Sequence, residues 1–193
     1  MVKLNLGCGK FPITLPNWIN IDQTKLSTVD LVFDLENCEK EQLPFEESSI
    51  DEFFMSHVLE HIKNILPLMQ ELHRVAKPNA LLTVKVPYGS SDDAFEDPTH
   101  IRQMFIGSFG FFSQPYYWRA DYGYKGDWKV NKVFLYLYKN IEENLTMDQL
   151  FNKINSQRNV VKEMLVELLA VKPIREPLKN LQTIPQIFIL RED

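Results

Sequence analysis

The chain has 193 residues and a formal net charge of −5, which argues against a primary role in gripping nucleic acid or an anionic membrane, since both need a dense positive surface. Hydrophobic residues make up 45% and charged residues 24%, as in a globular protein with a sizeable core. Two cysteines form no disulfide framework, no apolar run nears a membrane span, and the N-terminus lacks a signal-peptide core, so we expect a cytoplasmic protein.

Short apolar segments rich in Val, Ile, Leu and Phe predict strands that are buried on both faces. A helix over Asn64–Ala76 is predicted from apolar residues at three-to-four spacing, and a second helix is predicted around Val160–Ala170. The alternation predicts a parallel sheet with crossover connections. The predicted strands are Val2–Leu6, Trp18–Asp22, Asp30–Asp34, Ile50–Met55, Ala80–Val86, Val133–Tyr138 and Gln186–Leu190.

The predicted fold class is therefore α/β, with a Rossmann-like, mostly parallel, seven-stranded sheet. The last two strands are joined through a long insertion, which suggests an antiparallel pair at the sheet edge. No linker is visible, so we expect one domain over residues 1–193. Its parts would be a ligand-binding core of about 1–104, an aromatic loop of about 105–130 and a C-terminal strand–helix–strand segment of about 131–193.

The carboxyl ends of the predicted strands mark the expected site, because ligands of open parallel sheets bind there. Glycine lets the backbone approach a ligand closely, and a carboxylate at the end of the second strand can accept hydrogen bonds from a ribose. The residues at these ends are Gly7, Cys8, Gly9, Asp22, Asp34, Ser56, His57, Pro87 and Tyr88.

The glycine turn after the first strand lacks the features of a dinucleotide site. No third glycine follows Gly9, and Pro12 and Pro16 interrupt the segment where a phosphate-binding helix would begin. The ribose-binding carboxylate of Asp22 remains. A ligand with a ribose and no phosphate, such as S-adenosylmethionine, fits this pattern better than a dinucleotide.

Five motifs in order and spacing resemble the class I S-adenosylmethionine-dependent methyltransferases, in the branch called methyltransferase type 11. The resemblance covers about residues 3–104. The motifs are Leu4-Asn5-Leu6-Gly7-Cys8-Gly9-Lys10, Trp18-Ile19-Asn20-Ile21-Asp22, Leu43-Pro44-Phe45, Ser56-His57-Val58-Leu59-Glu60-His61, and the run from Leu72 to Ala80.

The resemblance implies a cofactor site. Its glycines would pass close to the methionine part of S-adenosylmethionine, Asp22 would bind the ribose, and Ser56 would lie below the sulfonium. Asn5 stands where the family often has an acidic residue, so it brings no charge. Cys8 is interpreted as a small filler between two glycines. The predicted cofactor-binding residues are Asn5, Gly7, Cys8, Gly9, Lys10, Asp22, Asp34, Leu35, Ser56 and His57.

Histidine is the natural base if the methyl acceptor must lose a proton. His57, at a strand end, and His100, in a polar loop, are the catalytic candidates. His61 and His73 are expected to be structural. No pair of histidines has a compact metal-ligand spacing, so no metal is predicted.

Ten of the 23 aromatic residues fall between Phe105 and Trp128. They predict either a side core or a wall that contacts an aromatic or sugar acceptor, with interleaved cations for an anionic group. Glycines within the segment would let parts of it move as a lid. The predicted substrate-binding residues are Tyr88, Arg102, Tyr117, Trp118 and Arg119.

The predicted function is methyl transfer from S-adenosylmethionine to a small-molecule or glycan-linked acceptor. Three alternatives stay open: a non-catalytic S-adenosylmethionine-binding module, a methyltransferase acting on protein or nucleic acid, and a nicotinamide or nucleotide-sugar enzyme. The acidic charge argues against nucleic acid, and the broken helix argues against the nicotinamide enzyme. The Val160–Ala170 segment leaves a homodimer open as well.

Overall fold

One β-sheet organises the structure, a computed structural model that describes residues 1–120 and 122–191. The spatial order of its strands is β3-β2-β1-β4-β5-β7-β6-β8. In chain order they are β1 (Lys3–Leu6), β2 (Trp18–Asp22), β3 (Leu31–Val32), β4 (Ile50–Ser56), β5 (Ala76–Pro87), β6 (Trp128–Leu137), β7 (Val161–Ala170) and β8 (Gln186–Arg191).

Strands β1 to β5 run parallel to one another. Strand β7 lies antiparallel between β5 and β6, and β8 runs parallel to β6. Strand β1 has β2 on one side and β4 on the other, so the order of the strands reverses there. Reversal points of this kind open a crevice at the carboxyl ends of the strands.

The predicted fold class is confirmed, with eight strands among the described residues rather than seven. The antiparallel pairing differs in detail from the prediction. The sixth predicted strand and the last one are parallel neighbours, β6 and β8. The antiparallel partner of β6 is β7, which is inserted between β5 and β6.

The helix predicted around Val160–Ala170 is wrong, because this segment is strand β7. Met164, Val166 and Leu168 are fully buried, while Leu165 and Leu169 on the opposite face are half-buried. Because apolar residues lie on both faces of this strand, their spacing in the sequence resembles that of an amphipathic helix. Pairing with β5 and β6 then overrides the helix propensity of a sequence rich in Leu and Glu.

The predicted helix Asn64–Ala76 is confirmed as α1 (Ile65–Val75). A short helix, α2 (Asp93–Glu96), and a longer one, α3 (Met147–Ser156), follow. Helix α3 was not predicted, although the residues of its capping box are visible in the sequence. Thr146 Oγ1 accepts from the amide of Gln149 at 3.3 Å, and Gln149 Oε1 accepts from the amide of Thr146 at 2.9 Å.

The core includes Phe53 and Trp128, both fully buried, with ring centroids 5.9 Å apart in an edge-to-face arrangement. Trp128 Nε1 donates to the carbonyl of Met69 in α1 at 2.9 Å. No helix in the described part of the chain is long and apolar enough to cross a membrane. Asp121 of the predicted aromatic loop, and Glu192 and Asp193 of the predicted C-terminal segment, lie outside the described residues.

Candidate functional site

The turn after β1 brings the backbone close to the segment that follows β4. Gly7 has φ +65°, and a Cβ at this position would lie 2.4 Å from Cγ2 of Val58. Cys8 donates its amide to the carbonyl of Ile21 at 3.0 Å, which ties the turn to β2. Only glycine fits at position 7 without displacing Val58 or straining the backbone.

Asp22, the last residue of β2, presents its carboxylate beside this turn. Oδ2 accepts from the amide of Gly9 at 2.8 Å, and Oδ1 accepts from the amide of Thr24 at 2.8 Å. A carboxylate can accept about four hydrogen bonds, so each oxygen keeps a lone pair for a ligand. The two amides hold the carboxylate in a fixed orientation.

The segment after β3 closes the next side of the crevice. Asp34 caps a 3₁₀ helix (Leu35–Glu39) through a 3.0 Å hydrogen bond from the amide of Glu36. The carboxylate of Glu36 accepts from the amide of Lys63 at 2.5 Å and thereby links this helix to the segment before α1. The buried side chain of Leu35 offers an apolar surface beside the Asp34 carboxylate.

A cavity of about 700 Å³ lies between these segments. It brings together five predicted residues: Gly7, Asp22, Asp34, Leu35 and His57. The remaining lining residues were not predicted, although most of them lie just after a strand or within or just after the motif of residues 56–61. They are Gln23, Phe33, Glu36, Val58, His61, Ile62, Lys63, Pro98, Thr99 and Ile101.

His57 forms an ion pair at one end of this cavity. Its Nε2 lies 2.9 Å from Oε1 of Glu163, near the start of β7, and Lys85 Nζ lies 2.7 Å from Oε2 of the same carboxylate. The hydrogen bond to Glu163, and next the contact with Glu60, raise the pKa of His57 to about 9. The hydrogen bond from His57, followed by that from Lys85, lowers the pKa of Glu163 to about 2. His57 is therefore a cation at neutral pH.

Glu60, His61 and His100 meet next to this ion pair. The ring centroids of His61 and His100 are 4.7 Å apart, and His100 Nε2 lies 3.9 Å from Oε1 of Glu60. Sequence spacing did not reveal this contact, since His100 comes from a distant loop. The amide of Ile101 donates to the carbonyl of Glu60 at 3.0 Å and joins the two segments.

Five predicted cofactor residues do not line the cavity: Asn5, Cys8, Gly9, Lys10 and Ser56. Asn5 is buried, and its Nδ2 donates to Oδ1 of Asn20 at 2.9 Å and to the carbonyl of Phe11 at 3.3 Å. Its amide therefore supports the glycine turn from below. Cys8 is 5% exposed, and burial is the main cause that raises the pKa of its thiol.

Two predicted substrate residues have structural partners near the site. Tyr88 is buried, with its ring centroid 5.5 Å from that of Phe105. Arg102 donates from Nη2 to the carbonyls of Ile62 and Lys63, at 2.9 Å each. Arg102 thus braces the segment that carries the cavity's Ile62 and Lys63 rather than presenting its guanidinium to the cavity.

The aromatic loop folds into a side core, which was one of its two predicted interpretations. Tyr117 is buried, and its hydroxyl donates to the carbonyl of Phe111 at 2.7 Å. Trp118 is exposed, but the guanidinium of Arg119 and the ammonium of Lys179 lie 4.5 and 5.3 Å from its ring centroid. Tyr117, Trp118 and Arg119 do not line the 700 Å³ cavity, so the predicted acceptor wall does not form there.

A larger groove of about 980 Å³ lies elsewhere, between α1 and the segment after β7. Its lining includes His73, Arg74, Lys125 and Lys172. Lys172 Nζ donates to the carbonyl of Arg74 and to Oγ of Ser48, both at 2.9 Å. These residues stand at the amino ends of β4 and β5, away from the edge where ligands of such sheets bind. We therefore place the candidate site in the smaller cavity.

Comparisons with known proteins agree with the predicted family. Residues 14–84 match a family described as a methyltransferase domain. No curated protein matches the chain. The matched range contains eleven of the fifteen residues that line the cavity, most of them in the segments that follow β2, β3 and β4.

Solved structures of S-adenosylmethionine-dependent methyltransferases share the fold. One from Archaeoglobus fulgidus aligns with a TM-score of 0.57 at 15% identity, over 86% of this chain and 85% of that one. One from Aquifex aeolicus aligns with a TM-score of 0.52 at 17% identity, over 89% and 82% of the two chains. The predicted resemblance to class I methyltransferases is confirmed, and the matches support the predicted cofactor, S-adenosylmethionine.

Proposed function

We propose that this chain, which has the class I methyltransferase fold and a matching methyltransferase domain, transfers a methyl group from S-adenosylmethionine to a small polar acceptor. The observation that carries the proposal is the cavity at the strand-order reversal, where the Gly7 turn meets the carboxylate of Asp22. This combination suits a ligand with a ribose and no phosphate.

The residues present fit this cofactor. A volume of about 700 Å³ is within the usual range for small-molecule sites. The absent side chain at Gly7 leaves room next to Val58. Asp22 would accept hydrogen bonds from the ribose hydroxyls, while Asp34 and Leu35 would flank the adenine with a polar and an apolar surface.

When bound, S-adenosylmethionine supplies a methyl group on a positively charged sulfur, which is already a good leaving group. The chain's main contribution is then to position the acceptor and exclude water. His57, predicted as catalytic, is protonated at neutral pH and donates to Glu163, so we assign it to positioning rather than to proton abstraction. His100, the other residue predicted as catalytic, lies close to Glu60 and His61 beside the cavity and remains the catalytic candidate.

A small acceptor is favoured over a glycan chain. Tyr117 is buried, and cations flank the ring of Trp118, so neither residue offers an open wall for sugar rings. The polar end of the cavity, with His57, His61 and Thr99, suits a hydroxyl or amine. The net charge of −5 argues against nucleic acid. The cytoplasmic location stays a prediction.

Isothermal titration calorimetry with S-adenosylmethionine, its demethylated product and NAD tests the proposal. We expect the first two to bind and NAD not to bind. Asp22→Asn keeps the shape of the side chain but removes its charge, and we expect about tenfold weaker binding, equivalent to about 1.4 kcal/mol of charged hydrogen bonding.

Asp30→Asn is the matched control. Asp30 accepts hydrogen bonds from the amide and side chain of Asn20, at 2.8 and 2.9 Å, and does not line the cavity. This variant should bind the cofactor as the parent does. Binding of NAD instead of S-adenosylmethionine would overturn the proposal. Tight cofactor binding with no turnover across an acceptor panel would favour the non-catalytic module.

A further inference from the structure

Three potential metal ligands converge beside the cavity. Glu60, His61 and His100 each offer one ligand atom, and these atoms all lie within 4.8 Å of one another. Glu60 and His61 belong to a 3₁₀ helix (Leu59–His61) that follows β4, and His100 comes from the loop after α2. His61 also lines the cavity.

Glu60 is the unusual member of this group. Its side chain is 2% exposed, and within residues 1–120 and 122–191 neither carboxylate oxygen has a hydrogen-bond partner. Nδ1 of His100 is also buried without such a partner there. Buried carboxylates are normally hydrogen-bonded, paired with charge or bound to a metal, because an isolated one is unfavourable.

We propose that Glu60, His61 and His100 bind a first-row divalent cation such as Zn²⁺. Two imidazoles and one carboxylate are a ligand set that such ions take, with further coordination positions open. Tetrahedral zinc places its N and O ligands about 3.4 Å apart. The 3.9 Å between Glu60 Oε1 and His100 Nε2 needs only a small side-chain adjustment to reach this value.

Neighbouring groups support the same site. Nδ1 of His61 lies 3.2 Å from the carbonyl oxygen of Thr99 and 3.0 Å from its hydroxyl. The Thr99 hydroxyl in turn donates to Oδ1 of Asp97 at 2.6 Å. A carbonyl partner of this kind holds a histidine in the tautomer that leaves its other nitrogen available to a metal.

His57 is the competing partner of Glu60. Its Nδ1 lies 3.4 Å from Glu60 Oε1, so its positive charge partly balances the carboxylate. His57 already donates from Nε2 to Glu163 at 2.9 Å. The experiment must therefore distinguish two roles of the Glu60 carboxylate: pairing with His57 alone, or binding a cation.

An ion at this place would face the polar end of the cavity. Its open coordination positions would hold an oxygen of the acceptor and lower the pKa of an acceptor hydroxyl. This role rests on the proposed function. Binding of the cation itself does not, and it can be measured without cofactor or acceptor.

Titration calorimetry of Zn²⁺ into the chelator-treated full chain, without S-adenosylmethionine, tests the site. We expect about one equivalent to bind and the melting temperature to rise with zinc concentration. Glu60→Gln replaces the anionic ligand by a neutral amide, and His100→Gln removes an imidazole. Each should weaken zinc binding by about 100-fold, since losing even a hydrogen-bond partner of a ligand costs about 10–100-fold. His61→Gln, a less buried change, gives a second ligand test if a buried variant fails to fold.

His73→Gln is the matched control, because His73 is a buried imidazole elsewhere, with Nε2 3.0 Å from the carbonyl oxygen of Val171. It should bind zinc as the parent does. Asp22→Asn should also keep zinc binding while cofactor binding weakens, which separates this inference from the proposed function. Absence of zinc binding, or equal binding in the Glu60, His61 and His100 variants, would overturn the inference.

Discussion

At the scale of single residues, the site depends on charges that are held by specific partners. The carboxylate of Asp22 is oriented by hydrogen bonds from two backbone amides. The carboxylate of Glu163 is paired with His57 and Lys85. Sequence position alone predicted Asp22, because it ends a strand of a recognisable motif. The partner of His57 was not predictable, since Glu163 lies 106 positions away in a segment that looked helical.

The ion pair of His57 and Glu163 predicts a specific pH dependence of stability. The folded pKa of His57 is raised from 6.5 to about 9, so its stabilising contribution is complete below pH 6.5 and is lost as the pH rises toward 9. The folded pKa of Glu163 is lowered from 4.5 to about 2, so its contribution is lost as the pH falls through that interval. Urea unfolding at several pH values measures both.

His57→Gln should remove most of the stability change between pH 6.5 and pH 9. His73→Gln is the control with the opposite sign. Burial lowers the folded pKa of His73, so this group destabilises the fold as the pH falls below its unfolded value. An alkaline stability profile of His57→Gln that matches the parent's would show that the ion pair does not form in solution.

At the scale of elements, the ion pair between Asp127 and Arg175 links the start of β6 to the chain after β7. Asp127 is fully buried; its Oδ2 accepts from Arg175 Nε and its Oδ1 from Nη2, both at 2.8 Å. Its Oδ1 also accepts from the hydroxyl of Ser113 at 3.3 Å. This group holds the aromatic loop, β6 and the C-terminal segment together.

Arg175→Ala should lower the free energy of unfolding by about 3–5 kcal/mol, because it leaves the Asp127 carboxylate buried without its charge partner. Urea unfolding at neutral pH measures the change. Arg158→Ala is the control, since Arg158 pairs with Asp92 on an exposed surface, and we expect a loss of about 1 kcal/mol or less. Equal losses in the two variants would contradict the anchoring role of Arg175.

Elements with one clear pattern were predictable, and elements with two competing patterns were not. Strands β1, β2 and β4 and helix α1 follow directly from apolar runs and three-to-four spacing. Strand β7 was missed, because apolar residues on both faces resemble a helix until the partners on either side are known. Helix α3 was missed although Thr146 and Gln149 form its capping box.

At the scale of the whole molecule, the residues that line the cavity all lie between positions 7 and 101, around the carboxyl ends of the parallel strands. The residues matched to the methyltransferase domain end at 84, within β5. Beyond this point, the sequence suggested an acceptor wall, yet the aromatic side chains pack mainly on one another and on the core. The number of aromatic residues in this segment was compatible with a side core or with an acceptor wall. The burial of Tyr117 and Tyr124 in the structure favours the side core.

The polar end of the cavity was only partly predicted, because it depends on contacts between residues that are far apart in the sequence. His100 was selected as a loop histidine near the site, but its approach to His61 requires the chain to turn back after α2. Metal-ligand spacing in sequence detects ligands on one short segment. It does not detect a group assembled from two segments, as Glu60, His61 and His100 are.

The central claim is that the cofactor occupies the cavity at the carboxyl ends of the strands. Backbone amide NMR of the 22.7 kDa chain, with and without saturating S-adenosylhomocysteine, tests it most directly. We predict shifts concentrated at Gly7, Asp22, Leu35 and Val58, with the amide of Lys125 at the larger groove unchanged. Shifts confined to the larger groove, or no shifts at saturating ligand, would contradict the account.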